Sequence, residues 1–316
     1  MGSYIAAAIK TSTRLSTLVI DSRADHLPHT LFYADHVIND DYASKAALRA
    51  IDIAKPKAVI HCAASSLVGP SVTDPAVYYR NNVTSMIKLL DHMRDKGHNN
   101  LVFSSSSSVY GDHSSDPCLE TDPLCPVSPY GVTKQIGEML LRDYSTAYGI
   151  NSIAFRYFNA VGASPTLGLG QEPGATHIIA RLMEGLQGDS PFTIYGDDYP
   201  TADGTCVRDY VHVADIARAH VMGVVWLLNN PGHHVYNIGS GRGYSVKEII
   251  SAVEAVDGRT VNIEIGARRQ GDPAVSLAMT TNISKDLGWH PINDIREIVT
   301  DAHAWYNSEL FKCMGC

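Results

Sequence analysis

The sequence lacks any apolar run long enough to cross a membrane. Its longest nearly apolar stretch, Ala219–Leu228, is about half of the roughly 20 residues that a transmembrane helix needs. This stretch follows a polar segment and is typical of a buried helix. The first ten residues lack the basic leader of a secretory signal. We therefore expect a cytoplasmic protein without a membrane partner.

A basic run and an arginine-rich helix are missing as well. The 316 residues carry 25 Lys and Arg against 33 Asp and Glu, a formal charge of -8, with both signs scattered along the chain. Proteins that bind nucleic acids need clustered positive charge to neutralise phosphates. We therefore expect no nucleic-acid partner.

Cysteines are too few and too scattered for a disulfide framework. Of the six cysteines, only Cys313 and Cys316 form a C-x-x-C pair, a spacing that some redox and metal sites use. Zinc sites usually need a second pair of ligands, and this chain has no second C-x-x-C pair. We interpret the pair as reduced thiols in the C-terminal tail and expect no bound metal.

What is present is an alternation of short, β-branched apolar runs with longer helical patterns, which indicates a parallel sheet with crossover helices. Predicted strands cover residues 17–20, 30–34, 57–63, 101–106, 153–158 and 234–238. Predicted helices cover residues 42–54 and 74–96, and a further helix begins at Ser128-Pro129, a favourable N-cap and first-turn pair. We predict an α/β fold with a Rossmann-like doubly wound parallel sheet and a smaller α/β C-terminal substrate domain. The predicted nucleotide-binding domain covers residues 1–160 and about 207–241, and the substrate domain covers about 161–206 and 242–316.

The most informative pair of side chains is Tyr130 and Lys134, four residues apart on one face of a predicted helix. A nearby ammonium lowers the pKa of a phenol, so the tyrosine can take or give a proton near neutral pH. The spacing alone also occurs by chance on helix surfaces. Its context is more specific, because a strand ends at Ser106 about two dozen residues upstream, and open parallel sheets bind ligands at the carboxyl ends of their strands. Ser106 can hold a substrate oxygen there, while the neighbouring serines can satisfy strand-end backbone groups.

Residues 103–134, with FSSSSSVYG and SPYGVTK, resemble the extended short-chain dehydrogenase/reductase superfamily. Four later segments narrow the resemblance to the UDP-glucose (UDP-galactose) 4-epimerase family: RYFNAVGA at 156–163, IYGDDYPTADGTCVRDYVHVAD at 194–215, VYNIGSGRGYSVKEI at 235–249 and RRQGD at 268–272. The resemblance covers about residues 17–309. It implies reversible C4 epimerisation of a UDP-hexose through a 4-keto intermediate, with tightly bound NAD, in a homodimer.

The resemblance also implies a role for each matched residue. Tyr130 is implied as the general acid/base, Lys134 as the group that lowers its pKa, and Ser106 as the hydrogen-bonding partner of the reacting oxygen. The implied contacts with NAD are Asp21, Asp35, Ala63, Ala64, Asn82, Ser104, Tyr130, Lys134 and Tyr157. The implied contacts with the UDP-sugar substrate are Ser106, Asn159, His177, Arg208, Arg269, Asp272 and Ser276. Ser276 matches a position where a small side chain goes with tolerance of N-acetylated sugars.

The chain departs from this family at its N-terminus. The segment that begins at Met1 resembles only the tail of the glycine-rich turn that binds the NAD pyrophosphate, and Ser66 replaces a common lysine. Two arrangements are open: residues 4–10 form the first helix and leave a gap in the sheet, or residues 3–9 fill the place of the first strand. The alanine content favours the helix.

Two other functions remain open from the sequence. An inactive relative would keep the UDP-sugar site and bind NAD poorly. A 4,6-dehydratase would usually carry Thr-Asp-Glu where this chain has Ser106-Ser107-Ser108, so we rank that reaction low.

Overall fold

The computed structural model describes residues 1–23, 32–112, 117–188, 191–269 and 272–314. The helices are α1 (Gly2–Ser12), α2 (Lys45–Ala54), α3 (Val68–Thr73), α4 (Pro75–Tyr78), α5 (Ser85–Lys96), α6 (Pro129–Tyr148), α7 (Ile178–Gln187), α8 (Val213–Leu227), α9 (Val246–Asp257), α10 (Thr281–Leu287), α11 (Ile295–Tyr306) and α12 (Glu309–Met314). The strands are β1 (Leu18–Ile20), β2 (His36–Ile38), β3 (Val59–His61), β4 (Asn100–Ser106), β5 (Asn151–Tyr157), β6 (Asn159–Val161), β7 (Phe192–Tyr195), β8 (Val207–His212), β9 (His233–Ile238), β10 (Gly243–Ser245), β11 (Ile263–Gly266) and β12 (Val275–Ser276).

Four parallel strands form the central sheet in the order β3-β4-β5-β9. Alternate residues of a strand point to opposite faces of a sheet. Leu101 and Phe103 of β4 pack with side chains of α5 and α6, whereas Val102 packs with side chains of α8. Helices therefore cover both faces, which confirms the predicted doubly wound α/β fold and explains why β4 and β5 are buried along almost their whole length.

The helix ends agree with the sequence signals. Ser128 caps α6 by accepting a hydrogen bond from the backbone N–H of Gly131 at 3.2 Å, and Pro129 occupies the first helical position. The long helix predicted over residues 74–96 is confirmed, although a π-helical turn at Tyr79–Thr84 separates α4 from α5. Gly97 ends α5 in the left-handed conformation, with φ at 74°.

The N-terminal segment forms a helix, the first of the two arrangements considered. α1 buries Ile5, Ala6 and Ala7 and packs against α8. β1 and β2 form a separate parallel pair, in which Leu18 lies opposite His36. Within the described residues no strand connects this pair to β3, so the sheet has a gap between β1 and β3.

One strand prediction, residues 30–34, is wrong. Residues 30 and 31 lie outside the described residues, and 32–34 are not in a strand. The backbone N–H groups of Asp35 and His36 both donate to the carbonyl oxygen of Thr17 at 3.1 Å, so the ladder with β1 starts only after Asp35. The strand is therefore β2, His36–Ile38.

Later parts of the chain build a second apolar core. Side chains of α7, α9 and α11 pack there, with Trp305 almost fully buried. β8 lies between antiparallel β10 and parallel β12, and it also pairs with β6. The exact division of the chain into two domains stays a prediction. Cys313 is exposed on α12, and Cys316 lies outside the described residues.

The predicted buried helix at Ala219–Leu228 is confirmed as the second half of α8. Its residues Ala219, His220, Gly223 and Leu227 are buried in the protein. In the part of the chain that the structure describes, no helix combines the length and apolar character that a membrane crossing requires.

Candidate active site

The carboxyl end of β4 and the start of α6 form the centre of the site. Ser106 is the last residue of β4, and its side-chain oxygen accepts the backbone N–H of Ser108 at 3.2 Å. Tyr130 lies in the first turn of α6, and Lys134 lies one turn later. All three predicted catalytic side chains are buried, with 9% or less of each exposed. The site therefore brings a hydroxyl, a phenol and an ammonium together with little water.

Two features of α6 allow this close approach. A Cβ atom added at Gly131 would lie 2.5 Å from the carbonyl oxygen of Ser108, so only glycine permits the helix to pass this near to the end of β4. One turn after Lys134, the carboxylate of Glu138 accepts hydrogen bonds from Arg156 Nη2 at 2.7 Å and Ser105 Oγ at 2.5 Å. This buried ion pair fixes α6 to strands β4 and β5.

The electrostatics of the pair differ from the sequence prediction. Burial raises the pKa of the Tyr130 phenol, and its hydrogen bond with Ser106 only opposes that rise. Lys134 Nζ lies 5.7 Å from the centre of the Tyr130 ring and donates to the carbonyl oxygen of Ser104 at 2.7 Å. Burial also lowers the pKa of Lys134 to about 8. Desolvation of the phenolate thus opposes the lowering of the Tyr130 pKa that the sequence predicts, and the effect of Lys134 on this pKa stays a prediction.

A chain of buried hydrogen bonds runs beneath this centre from β4 to α8. His220 Nδ1 lies 2.9 Å from the carbonyl oxygen of Ile216, which can only accept, so Nδ1 carries the hydrogen. Nε2 then accepts from the Tyr157 hydroxyl at 2.6 Å, and Ser104 donates to that hydroxyl oxygen at 2.8 Å. Ser104 Oγ also lies 3.1 Å from Sγ of Cys62. The side-chain polar groups of Ser104 and Tyr157 are therefore engaged within the protein.

The loop after β3 carries the predicted Ala63 and Ala64, at the same edge of the sheet as Ser106. Asn82, in the π-helical turn, fixes this loop: its side chain accepts from Ser65 N at 2.8 Å and donates to Ser65 O at 3.0 Å and to Thr133 Oγ1 at 3.0 Å. Asn82 thus links the loop to α6. Both N–H groups of its amide donate to protein oxygens, which favours a supporting role for Asn82 over donation to a dinucleotide.

Asp35 is not in the site, so this prediction is corrected. It precedes β2 and therefore lies at the amino end of that strand, whereas open parallel sheets bind ligands at the carboxyl ends of their strands. Its carboxylate forms an ion pair with Lys10 and accepts the backbone N–H of Thr17 at 2.8 Å. The acidic residue after β2 is Asp40, which the sequence analysis missed because it placed the strand too early. The β-branched pair Val37-Ile38, followed by Asn39-Asp40, is the sequence signal that indicates the correct end of this strand.

The start of α1 and the residue that follows β1 fit a dinucleotide such as NAD. The first backbone N–H groups of a helix lack acceptors within the helix, and Met1 gives α1 no side-chain cap. A Cβ atom at Gly2 would meet nothing within 4 Å, so the start of α1 is open to an anion. Asp21 directly follows β1, where a carboxylate suits ribose hydroxyls.

Four predicted UDP contacts lie on or beside the neighbouring strands β6, β8 and β12. Arg208 Nη2 and Asp272 Oδ1 form an ion pair at 2.8 Å, and Ser276 of β12 lies directly opposite Arg208 of β8. Asn159 begins β6 just after the end of β5 and donates to the carbonyl oxygen of Asp209 at 3.0 Å. The strand order thus connects the reacting centre to a cationic group suited to a diphosphate.

The two remaining predictions lie on separate elements. The Arg269 guanidinium stacks at 4.0 Å over the ring of Tyr195, a residue that the sequence analysis did not single out. His177 caps α7 by accepting the backbone N–H of Ala180 at 3.4 Å, and burial lowers its pKa to about 4. His177 is therefore neutral and cannot supply positive charge to a phosphate.

Fold and site together define a Rossmann-like protein with the serine, tyrosine and lysine of the short-chain dehydrogenase/reductase class. Residues 1–239 match the family described as the NAD dependent epimerase/dehydratase family. The chain is 38% identical to a UDP-glucose 4-epimerase of Azospirillum brasilense, over 98% of this chain and 89% of that protein. The chain therefore belongs to the NAD dependent epimerase/dehydratase family and, within it, to the UDP-glucose 4-epimerases.

Two solved structures extend this similarity to the fold. The UDP-glucose 4-epimerase of Brucella ovis in complex with NAD superimposes with a TM-score of 0.91 at 39% identity, over 96% of this chain and 94% of that chain. The enzyme of Bifidobacterium longum in complex with NAD+ and UDP gives a TM-score of 0.88 at 30% identity, over 98% and 96% of the two chains. These similarities do not favour the alternative of an inactive relative.

Proposed function

We propose that this protein catalyses the reversible C4 epimerisation of a UDP-hexose, UDP-glucose or UDP-galactose, with bound NAD. The observation that carries the proposal is the convergence of Ser106, Tyr130 and Lys134 at one strand end, joined through β5 and β6 to the Arg208–Asp272 pair. The first group suits proton transfer at a sugar hydroxyl, and the second suits a nucleoside diphosphate.

In the proposed reaction, Ser106 holds the O4 hydroxyl and Tyr130 takes its proton. The Lys134 ammonium, anchored to the carbonyl oxygen of Ser104, favours the phenolate form that this transfer requires. NAD, when bound, supplies a hydride acceptor that also returns the hydride to C4. Tyr130 then gives the proton back to O4, and the nucleotide-binding residues keep the sugar attached while it presents its opposite face.

The residues that would hold NAD are the start of α1, Asp21, Asp40, the loop at Ala63 and Ala64, and Lys134. A backbone turn and two carboxylates suit the pyrophosphate and ribose groups of a dinucleotide. Three of the predicted NAD contacts would support the site rather than bind NAD directly: Ser104, Tyr157 and Asn82. Their side chains form hydrogen bonds with other protein groups.

We propose in addition that the sugar pocket accepts UDP-N-acetylglucosamine. Ser276, the residue opposite Arg208, has a small side chain, which leaves room for an N-acetyl group. Rates with UDP-N-acetylglucosamine and UDP-glucose measured side by side test this point, and a negligible rate with the former contradicts it.

The function itself is tested by incubating the purified protein with UDP-galactose and NAD and following UDP-glucose by NMR. Tyr130→Phe is the matched control, since it removes only the phenolic oxygen. We expect conversion by the wild type and a loss of roughly 100-fold or more in kcat for the variant, the usual range for a general acid/base. No conversion by the NAD-loaded wild type contradicts the proposal.

We further propose a cytoplasmic homodimer that associates through the helices at residues 74–97 and 128–148. Exposed apolar side chains near these helices support an interface, with Val72 63% and Met139 45% exposed. A molar mass of one chain by light scattering contradicts the dimer.

A further inference from the structure

One buried polar group near the nucleotide-binding residues has no role in the reaction described above. The side chain of Tyr199, in the loop between β7 and β8, is only 5% exposed. Its hydroxyl is buried and has no hydrogen-bond partner among the described residues. A buried hydroxyl without a partner costs free energy, so such a group calls for an explanation.

The ring of Tyr199 is held firmly. The Arg268 guanidinium stacks over it at 4.2 Å and donates through Nε to Asp198 Oδ1 at 2.5 Å. A Cβ atom at Gly196, where φ is 90°, would lie 2.8 Å from Cε2 of Tyr199. The backbone N–H of Tyr199 donates to the carbonyl oxygen of Gly204 at 2.9 Å. The direction of the hydroxyl is therefore fixed before any ligand arrives.

The surroundings of the hydroxyl are charged. Burial raises the pKa of the Tyr199 phenol, the Asp272 carboxylate adds to the rise, and the charges of Arg208 and Arg268 oppose it. Asp272 and Arg208 are the ion pair in the proposed UDP site. The charges of the proposed UDP site thus act on the Tyr199 phenol, whose ring is held in place by Arg268.

We infer that the Tyr199 hydroxyl is a further substrate-binding group, which donates a hydrogen bond to the nucleoside diphosphate half of the UDP-sugar. This inference rests on the proposed function and adds a residue to it. The hydroxyl is a neutral donor beside Arg208, so it binds an anionic or hydroxyl oxygen without adding charge. Its missing partner in the protein is then supplied by the ligand.

The second core offers a matched control. Tyr306 is also buried, with 2% exposure, and its hydroxyl also lacks a partner among the described residues. It lies on α11 in the second apolar core, where burial and the Glu184 carboxylate raise the pKa of its phenol. Tyr306→Phe therefore removes the same atom in a similar environment without touching the nucleotide site.

The test is calorimetric titration of wild type, Tyr199→Phe and Tyr306→Phe with UDP and with UDP-glucose, together with their melting temperatures. For Tyr199→Phe we expect Kd to rise on the order of 10- to 100-fold for both ligands, the effect of one hydrogen bond to a charged group. Its melting temperature should not fall, because the lost hydroxyl binds nothing in the protein. Tyr306→Phe should bind both ligands like the wild type.

Several outcomes overturn the inference. If Tyr199→Phe binds UDP with a Kd within about twofold of the wild type, the inference is overturned, and the Tyr199 hydroxyl binds only a water. If Tyr199→Phe loses affinity for UDP-glucose but not for UDP, the hydroxyl contacts the sugar, which contradicts the inferred contact with the nucleoside diphosphate. A loss of affinity with an equal fall in melting temperature indicates a structural role. Failure of the wild type itself to bind UDP is a separate result, which contradicts the proposed function.

Discussion

At the scale of single residues, burial has the largest effect on the pKa values of the titratable side chains in this site. Tyr130 and Lys134 are both desolvated, which raises the pKa of the Tyr130 phenol and lowers that of Lys134 to about 8, so Lys134 still carries its proton at neutral pH. His220 obeys the same rule. Its pKa is lowered to about 4, which keeps Nε2 available as acceptor for Tyr157.

We predict that His220 makes the folded protein less stable at acidic pH. Its pKa is about 4 when folded and about 6.5 when unfolded, so the unfolded chain binds more protons between these values. The free energy of unfolding therefore falls as the pH drops through this window. For His220 we expect a contribution of about 2–3 kcal/mol between pH 7 and pH 4.5.

Urea unfolding of His220→Gln at these two pH values measures this contribution. Glutamine can accept the Tyr157 hydrogen and does not take a proton in this range, so the variant should lose about 2–3 kcal/mol less than the wild type. His290→Gln, at an exposed position, should behave like the wild type. Equal losses in wild type and His220→Gln would show that His220 does not cause the acid sensitivity.

Sequence reasoning identified Ser106, Tyr130 and Lys134 because a local spacing coincided with a strand end, and both features are written along the chain. It failed for Asp35, because a shift of a few residues in β2 moved that carboxylate to the other end of the strand. It also missed Tyr195 and Tyr199, whose positions depend on Arg269 and Arg268, about seventy residues away. Such long-range pairings have no local signal.

At the scale of elements, α6 is the helix on which the site depends most. Its first turn carries Tyr130, and that turn is fixed by the Ser128 cap and by the contact of Gly131 with Ser108. The serine-proline start could be predicted from sequence, whereas the close contact at Gly131 could not, because it involves another element.

We predict that Ser128→Ala lowers both stability and turnover. Loss of the cap should cost about 1 kcal/mol in the free energy of unfolding. The loosened first turn should lower kcat roughly tenfold, because Tyr130 loses its fixed position. Urea unfolding and steady-state kinetics measure the two effects.

Asp294 provides the control, since it caps α11 by accepting the backbone N–H of Glu297 at 3.0 Å. Asp294→Ala should lose a similar amount of stability and keep the wild-type kcat. If both variants lost turnover equally, the effect of Ser128 on catalysis would be a general consequence of instability.

At the scale of the whole molecule, the unusual feature is the gap between β1 and β3. The two sheets still share one apolar cluster, in which Ile20 and Val59 both pack. The N-terminal charge at the start of α1 acts on the pKa of the Cys62 thiol just after β3, and Asp21 directly follows β1. The sequence left open whether residues 4–10 form a helix or residues 3–9 fill the place of a strand, and the helical form of residues 2–12 agrees with the alanine content of this segment.

The central claim is that this protein inverts C4 by removing a hydride and returning it to the same carbon. The most direct test uses UDP-galactose deuterated at C4, incubated with the NAD-loaded protein in ordinary water. We predict UDP-glucose that retains deuterium at C4, because the hydride does not exchange with solvent while the site stays closed. UDP-glucose with protium at C4, or no UDP-glucose, would contradict the account.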